Sequence, residues 1–261
     1  MKQFILNDKP DKNGRVRLEG GDYHYLVRVR RLAPGEYFPA LLPDGAEVMI
    51  RVCSVDSQTV TGEVLQGENS RGEDSRSNSP LPPIILFQAL PKGEKMDIIV
   101  RQAAEGGLTE IVPFVSEFSA VKIEKSGGQK FSRWERIIKE ARQQSGSGTA
   151  TVIRQPLSMD GLFTYWERIK IQQSGVLGLL FHHLPLANIS LHGYLDTSPE
   201  AVVLTIGPEG GFSPAEAERF LAAGFKPFTV GGTILRTETA ALYAQAAVRI
   251  LLWEKDSWEM K

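Results

Sequence analysis

Hydrophobic and polar positions follow two different patterns along the chain, and the pattern changes near residue 70. From residue 84 onward, apolar runs with the length of buried strands (IILFQAL, IVPFV, TVI, GVLGLLFHH, AVVLTI and PFTV) alternate with segments of helical periodicity. The helices are predicted from about Lys92 to Glu105, through RWERIIKEARQQS, from SPAEAERF and through TETAALYAQAAVRILLW. This alternation predicts an α/β domain with a mainly parallel sheet that is covered on both faces.

The first part of the chain shows a different pattern. Three short β-prone runs (EYFPALL, AEVMIRVCSV and QTVTGEVL) are separated by turn signals, and they predict a small β-rich domain, either a barrel or a curled sheet. The stretch 67–83 is polar and rich in Gly, Ser and Pro, which is typical of an exposed linker. The predicted organisation is a β-rich domain at 1–70, a linker at 71–83 and an α/β domain at 84–261.

Composition gives no sign of a global attraction to polyanions or lipid. Lys and Arg number 30 and Asp and Glu 31, so the net charge is -1 and any nucleic-acid site must be a local patch. We find no signal-peptide core and no apolar run of membrane-spanning length, and we therefore expect a cytoplasmic protein without a membrane partner. The single cysteine, Cys53, cannot form an internal disulfide, and it is interpreted as a small buried apolar residue.

A glycine-rich turn between a predicted strand and a predicted helix is the first candidate for a ligand loop. In TIGPEGGFSPAEAERF, three glycines let the backbone approach a partner closely, and Pro208 stiffens the turn. Ser213 and Glu216 are spaced for a capping box, with Pro214 at the first helical position, so the loop faces a helix N-terminus. Glu209 argues against a phosphate and for ribose hydroxyls or a cation. A strand-to-helix turn that binds no ligand is the alternative.

A second glycine pair, Gly231-Gly232, follows the next predicted strand and precedes a helix start at 237–239. Two such loops after neighbouring strands can clamp one flat ligand, although glycine pairs are also common at strand ends. The sequence has no G-x-G-x-x-G segment opening a βαβ unit, no Walker loop and no G-x-S-x-G elbow. No metal site is predicted, because His182 and His183 lack further ligands at suitable spacing.

Taken together, the two loop motifs resemble a known family. The segment IGPEGGFSPAEAERF followed by VGGTILRTETAALYAQAAV is similar to the paired C-terminal signature of the SPOUT methyltransferases, and specifically of the RsmE family of 16S ribosomal RNA (uracil-N3) methyltransferases. HYLVRVRRLAPGE, FQALPKGEKMDIIVRQAAEGGLTEIVPFVSEFS and RWERIIKEARQQSG also match that family, so the resemblance spans the chain. Two positions depart from it: Ser147 stands where the family commonly has an arginine, and Arg30 where it more often has an apolar residue.

The resemblance implies a SPOUT-type α/β trefoil-knot methyltransferase domain preceded by a small PUA-like β-barrel for RNA. It also implies a homodimer, S-adenosylmethionine as the cofactor, and 16S ribosomal RNA of the small ribosomal subunit as the partner. The implied cofactor-binding residues are Phe181, His182, Ile206, Gly207, Pro208, Glu209, Gly210, Gly211, Val230, Gly231, Ile234, Leu235, Arg236 and Thr237.

The chemistry of this family needs few side chains. Methyl transfer to a uracil N3 is an in-line displacement, so the site has to orient two reactants and favour loss of the N3 proton. Arg236 is the leading candidate for stabilising the uracil anion, and Glu238 can fix Arg236 or accept the proton. Alternatively, Arg236 only pairs with Glu238 or another neighbour. Two rival functions stay open, a knotted methyltransferase for another RNA and an RNA-binding module without catalysis.

RNA contacts are predicted from cations and their polar neighbours in both domains. In VRVRR, the alternation of a strand would put Arg28 and Arg30 on one face. An arginine cluster on an ordinary solvated surface is the alternative. The predicted RNA-binding residues are His24, Arg28, Arg30, Arg31, Lys92, Arg142 and Gln144.

Overall fold

The structure is a computed structural model, which describes residues 4–65, 81–119, 127–183 and 189–254. The chain divides into two compact units. The first consists of Met1–Asn78 together with Arg142–Ala150, and the second of Ser79–Ala141 together with Thr151–Lys261. Residues 71–80 of the predicted linker lie outside the described residues.

The first unit is built on a five-stranded sheet with the order β1-β3-β4-β5-β2. All of its pairs are antiparallel except β1 with β3. Inward-facing residues such as Phe38, Ile50 and Val60 alternate with solvent-facing ones and form the core of this unit. The elements are β1 (Phe4–Ile5), β2 (Arg15–Glu19), α1 (Gly20–Tyr23), a π-helical turn (His24–Val29), β3 (Tyr37–Leu41), β4 (Glu47–Val55) and β5 (Thr59–Leu65).

Two expectations for this unit are wrong. The VRVRR segment is not a strand, because α1 runs directly into the π-helical turn. Leu26 is fully buried while Tyr23 and Val27 pack against the same core, and this spacing of three and four residues is helical. Cys53 is exposed, because β4 turns Ile50 and Val52 inward and the residue after Val52 outward.

The second unit is an all-parallel sheet with helices on both faces, as the alternation of the sequence predicted. Its strand order is β12-β10-β11-β6-β7-β8, with β9 also paired to β7. The elements are β6 (Ile84–Ala89), α2 (Lys95–Glu105), β7 (Glu110–Val115), α3 (Gly127–Ser145), β8 (Val152–Ile153), β9 (Leu157–Ser158), α4 (Met159–Gln172), β10 (Val176–Phe181), α5 (Leu191–Leu195), β11 (Ala201–Ile206), α6 (Pro214–Ala222), β12 (Lys226–Phe228) and α7 (Thr237–Glu254).

The two faces of this sheet carry separate cores. One contains residues of α2, α3 and α7, and the other residues of α4 and α6. Strands β6 and β11 are buried at every position, which explains why both read as continuous apolar runs. Within the described ranges, no helix combines the length and the apolarity needed to cross a bilayer.

Candidate active site

The carboxyl ends of three neighbouring parallel strands, β12, β10 and β11, form the floor of a cleft of about 240 Å³. Ligands of parallel sheets bind at this edge, because the loops that follow the strands converge there. The cleft is lined by Phe181, His182, His183, Ile206, Gly207, Pro208, Glu209, Gly210, Gly211, Phe212, Thr229, Thr233, Ile234, Leu235, Thr237 and Ala240.

Both loops singled out in the sequence therefore reach one cleft. Most of the predicted cofactor residues line it, whereas Val230, Gly231 and Arg236 do not. Five further residues, which were not predicted from the sequence, also line the cleft: His183, Phe212, Thr229, Thr233 and Ala240. Their neighbours in the chain were the available signal, since each lies within three positions of a predicted residue.

The glycines of the loop 207–211 are needed for contacts within the protein itself. A Cβ on Gly210 would lie 2.9 Å from the Cβ of Phe118, and a Cβ on Gly207 would lie 3.2 Å from the backbone of Gly211. Gly211 has a φ of 70°, in the left-handed region. The loop is thus folded tightly on itself and against Phe118, which follows the carboxyl end of β7.

The helix start after this loop is fixed as the sequence predicted. The Ser213 hydroxyl accepts from the Glu216 backbone N–H at 3.3 Å, and Glu216 accepts from the Ser213 backbone N–H at 3.0 Å, with Pro214 in the first turn. The other oxygen of Glu216 accepts from the backbone N–H of Glu117 at 2.8 Å. One buried carboxylate therefore caps α6 and anchors the loop that follows β7.

Glu209 is held by the chain rather than standing free beside the cleft. Its carboxylate accepts from the backbone N–H of Lys92 at 3.1 Å and from the Lys95 ammonium at 2.6 Å. Partial burial acts to raise the pKa of Glu209, but the hydrogen bonds from Lys95 and the backbone outweigh it and lower the pKa from its ordinary value. The loop is thereby tied to the start of α2.

The two predicted catalytic residues lie where the second loop enters α7. Arg236 is exposed, and among the described residues it has no ion-pair partner. Glu238 is 3.9 Å from the Lys95 ammonium, and its Oε2 is buried without a hydrogen-bond donor in the described part of the chain. The pairing of Arg236 with Glu238, considered as an alternative, is not seen.

The predicted RNA-binding residues in and beside the π-helical turn differ in exposure. His24, Arg28 and Arg31 are exposed; the first two lie in the π-helical turn and Arg31 two residues beyond its end. Arg30 instead lies with its guanidinium carbon 6.0 Å from the centre of the Phe38 ring, and its Nη1 is buried. Arg31 has a φ of 57°, a left-handed conformation that is unfavourable for a residue with a Cβ.

The other predicted RNA-binding residues differ in exposure. Lys92 and Gln144 are exposed, whereas Arg142 is only 6% exposed. Arg142 falls on the same side of α3 as the buried Ile138, and burial lowers the pKa of its guanidinium. Arg142, predicted to bind RNA, is therefore not part of an exposed basic surface.

The described residues contain no cluster of three or more His, Cys, Asp or Glu side chains that could hold a metal ion. His182 and His183 lie side by side, with ring centres 4.6 Å apart, and both line the cleft. Their backbone position is fixed by the His182 N–H, which donates to the Phe228 carbonyl at 3.0 Å.

Comparison with known proteins identifies the architecture. Residues 77–249 match the family described as RNA methyltransferase domain. A Synechocystis protein named ribosomal RNA small subunit methyltransferase E is 34% identical, over 91% of this chain and 73% of the relative. A Bacillus subtilis protein of the same name is 28% identical, over 88% of each chain.

Solved structures show the same likeness along nearly the whole chain. The Neisseria gonorrhoeae ribosomal RNA small subunit methyltransferase E, crystallised with S-adenosyl methionine, superposes with a TM-score of 0.74 at 27% identity, covering 96% of this chain and 98% of the other. A Legionella pneumophila protein in complex with the same cofactor gives a TM-score of 0.75 at 27% identity and equal coverage. By sequence and by fold, the chain belongs to the ribosomal RNA small subunit methyltransferase E family.

Proposed function

We propose that the protein transfers a methyl group from S-adenosylmethionine to N3 of a uridine in the 16S ribosomal RNA of the small subunit. The observation that carries this proposal is the cleft itself, where two glycine-containing loops meet beside the start of α7. They follow β11 and β12, which are not adjacent as the sequence suggested but lie on either side of β10. The family of the chain supplies the reaction, since its relatives are named for methylation of small-subunit RNA.

The lining of the cleft fits the proposed cofactor. Among the described residues that line it there is no Lys or Arg, and Glu209 is its only carboxylate. Because no described cation lines the cleft and the Glu209 carboxylate is paired with Lys95, this lining offers no charged group that would bind a phosphate or repel a sulfonium cation. Apolar side chains such as Ile206, Ile234 and Leu235 offer surfaces for a base, and the backbone of the two loops offers hydrogen bonds.

The catalytic work falls to the residues at the start of α7. When bound, S-adenosylmethionine supplies a methyl group activated by a positively charged sulfur. Arg236 directly follows the lining residue Leu235, and its unpaired guanidinium stabilises the negative charge on the uracil oxygens as N3 loses its proton. The buried Oε2 of Glu238, which lies 3.9 Å from the Lys95 ammonium and accepts no hydrogen bond from the described residues, would take up that proton. The N3 electron pair would then be free for the methyl group, whose bond to sulfur would break as its bond to nitrogen forms.

RNA is held, in this proposal, by the exposed residues His24, Arg28 and Arg31. Among the described residues none of the three has an ion-pair partner, while Arg17 and Arg51 of the same unit are paired with carboxylates. Exposed guanidinium groups without carboxylate partners suit phosphate contacts. The five-stranded sheet that carries them supports the assignment of this unit as a PUA-like barrel.

The homodimer, the trefoil knot and the cytoplasmic location belong to the same proposal. The dimer is supported by an apolar stripe on α7, where Leu242, Tyr243, Ile250 and Trp253 are 38 to 54% exposed and lie on one face of the helix. Ile234, which lines the cleft, is 83% exposed. A second copy on this face of α7 would cover the apolar stripe.

Mapping of methylated nucleosides tests the proposed reaction. The chain is expressed in a bacterial strain that lacks this methyltransferase, and its 16S RNA is digested and analysed by mass spectrometry. We expect N3-methyluridine with the wild type and with Glu218→Gln, which changes an exposed carboxylate on α6, and strongly reduced amounts with Arg236→Met and Glu238→Gln.

The same experiment separates the rival functions. If a different RNA were methylated instead, the enzyme assignment would stand, but 16S RNA would no longer be the proposed substrate. Retention on ribosomal RNA without any methyl transfer would favour a binding module and would overturn the enzyme assignment.

A further inference from the structure

A chain of hydrogen bonds below the cleft joins three elements that are distant in sequence. The Nε2 of Gln88, near the end of β6, donates to the Thr237 hydroxyl at 3.1 Å. The Thr237 hydroxyl, at the first residue of α7, donates to the carbonyl of Gly207 at 2.6 Å. Gln88 and Thr237 are 0% and 3% exposed, so water does not compete for these bonds.

The direction of this chain is fixed by chemistry. The Gln88 Nε2 can only donate, so the Thr237 oxygen accepts from it and must use its own proton for Gly207. A second bond from Nε2, to the carbonyl of Ala89 at 2.9 Å, holds the amide in this orientation. The Oε1 of Gln88 is buried and has no partner among the described residues, so Nε2 alone sets the position of the side chain.

The bond to Gly207 determines how the first loop leaves β11. The peptide between Gly207 and Pro208 has no N–H, and its single polar group, the Gly207 carbonyl, is occupied by Thr237. This contact fixes the first loop against the end of the second, because Thr237 directly follows the residues 229–236. Both loops are thus held in register by one hydroxyl.

We propose that Gln88 and Thr237 are positioning residues, which align the two cofactor loops by holding the Gly207 carbonyl. The inference rests on the proposed function, since the loops matter only if they hold the methyl donor. In-line displacement is sensitive to placement, and a shift of about 1 Å can cost about a hundredfold in rate. Neither side chain needs to touch the reacting atoms.

Substitutions that keep the shape and remove the bond test the inference. Thr237→Val lacks the hydroxyl but keeps its volume, and we expect it to weaken S-adenosylmethionine binding about tenfold in calorimetry. It should also lower kcat at saturating cofactor and RNA by about tenfold to a hundredfold. Thr237→Ser, which restores the hydroxyl, should recover most of both losses. Gln88→Glu should resemble Thr237→Val, because a carboxylate would take the Thr237 proton away from Gly207.

The matched control is Thr164→Val, which removes an exposed hydroxyl that donates to the Asp160 carbonyl within α4. The cofactor dissociation constant and kcat are measured at a temperature where circular dichroism shows that each variant is folded. Both are calculated from the concentration of folded protein. If Thr237→Val has the same cofactor affinity and the same kcat as Thr237→Ser, the inference is overturned. A variant with a lower melting temperature but unchanged affinity and kcat also contradicts it. If Thr237→Val does not fold, Gln88→Met, which removes the amide that donates to Thr237, is tested by the same two measurements, cofactor affinity and kcat. A wild type that binds no cofactor would instead refute the proposed function.

Discussion

Arg31 combines an unfavourable backbone conformation with an unpaired charge, so its replacement has opposite effects on stability and on RNA binding. Its φ of 57° costs roughly 1–2 kcal/mol for a residue with a Cβ, and glycine avoids this cost. The glycine variant also has a more flexible unfolded chain than the alanine variant, and this lowers its unfolding free energy by about 0.4–1 kcal/mol. Arg31→Gly should therefore exceed Arg31→Ala in unfolding free energy by roughly 0–1.6 kcal/mol, although both lack the guanidinium.

Hydrogen exchange read on peptides that cover residues 20–41 is the suitable stability assay. The four tryptophans of the chain all belong to the second unit, so their fluorescence reports on that unit. Exchange should be slower in Arg31→Gly than in Arg31→Ala.

RNA binding is tested by measuring the affinity of the wild type and of both Arg31 variants for small-subunit RNA over a series of salt concentrations. Each phosphate contact contributes about 0.7–0.9 to the slope of log K against log salt, so both variants should lower the slope by about that amount. Arg17→Ala, in which a guanidinium paired with Glu19 is removed, is the control and should keep the slope. Equal exchange in the two Arg31 variants would refute the strain argument, and an unchanged slope would refute the phosphate contact.

Three further predictions concern the cleft and the proposed dimer. Gly210→Ala places a Cβ 2.9 Å from the Cβ of Phe118, so we expect weaker cofactor binding by about 1–3 kcal/mol in calorimetry, with recovery in the double variant that also carries Phe118→Gly and so lacks both Cβ atoms. The pKa of Glu209 lies below its ordinary 4.5, so its contribution to the unfolding free energy is complete above pH 4.5 and is lost as the pH falls through the lowered value; acid titration should show this loss in the wild type and not in Glu209→Gln. Trp253→Glu adds a charge to the apolar stripe of α7 and should shift the protein to a monomer in light scattering, and an unchanged mass would contradict the dimer surface.

The sequence predicted the α/β unit well, because its strands and helices differ in pattern. Strands buried on both faces read as continuous apolar runs, and the capping box before α6 marked the helix start after the first loop. Helix α4 was missed, although Leu162, Trp166 and Ile169 are buried at helical spacing. The signal was present and was not used.

Other features lie beyond a reading of local patterns. In the segment before Arg30, β-branched and aromatic residues favour a strand, but the packing of Leu26 into the core selects a helix. The partners of Glu209 and of Thr237 are set by tertiary contacts, since Lys95 is 114 positions and Gln88 149 positions away in the chain. Such pairs cannot be derived from spacing.

The strand order of the second unit has a consequence for synthesis on the ribosome. β6 lies in the interior of the sheet between β7 and β11, and β11 is made much later than either of the other two. This strand, which is buried at every position, must therefore wait with one edge unpaired until its second neighbour emerges from the ribosome. We expect nascent chains that stop short of β11 to be held by chaperones, whereas those that extend past it collapse into a protease-resistant body.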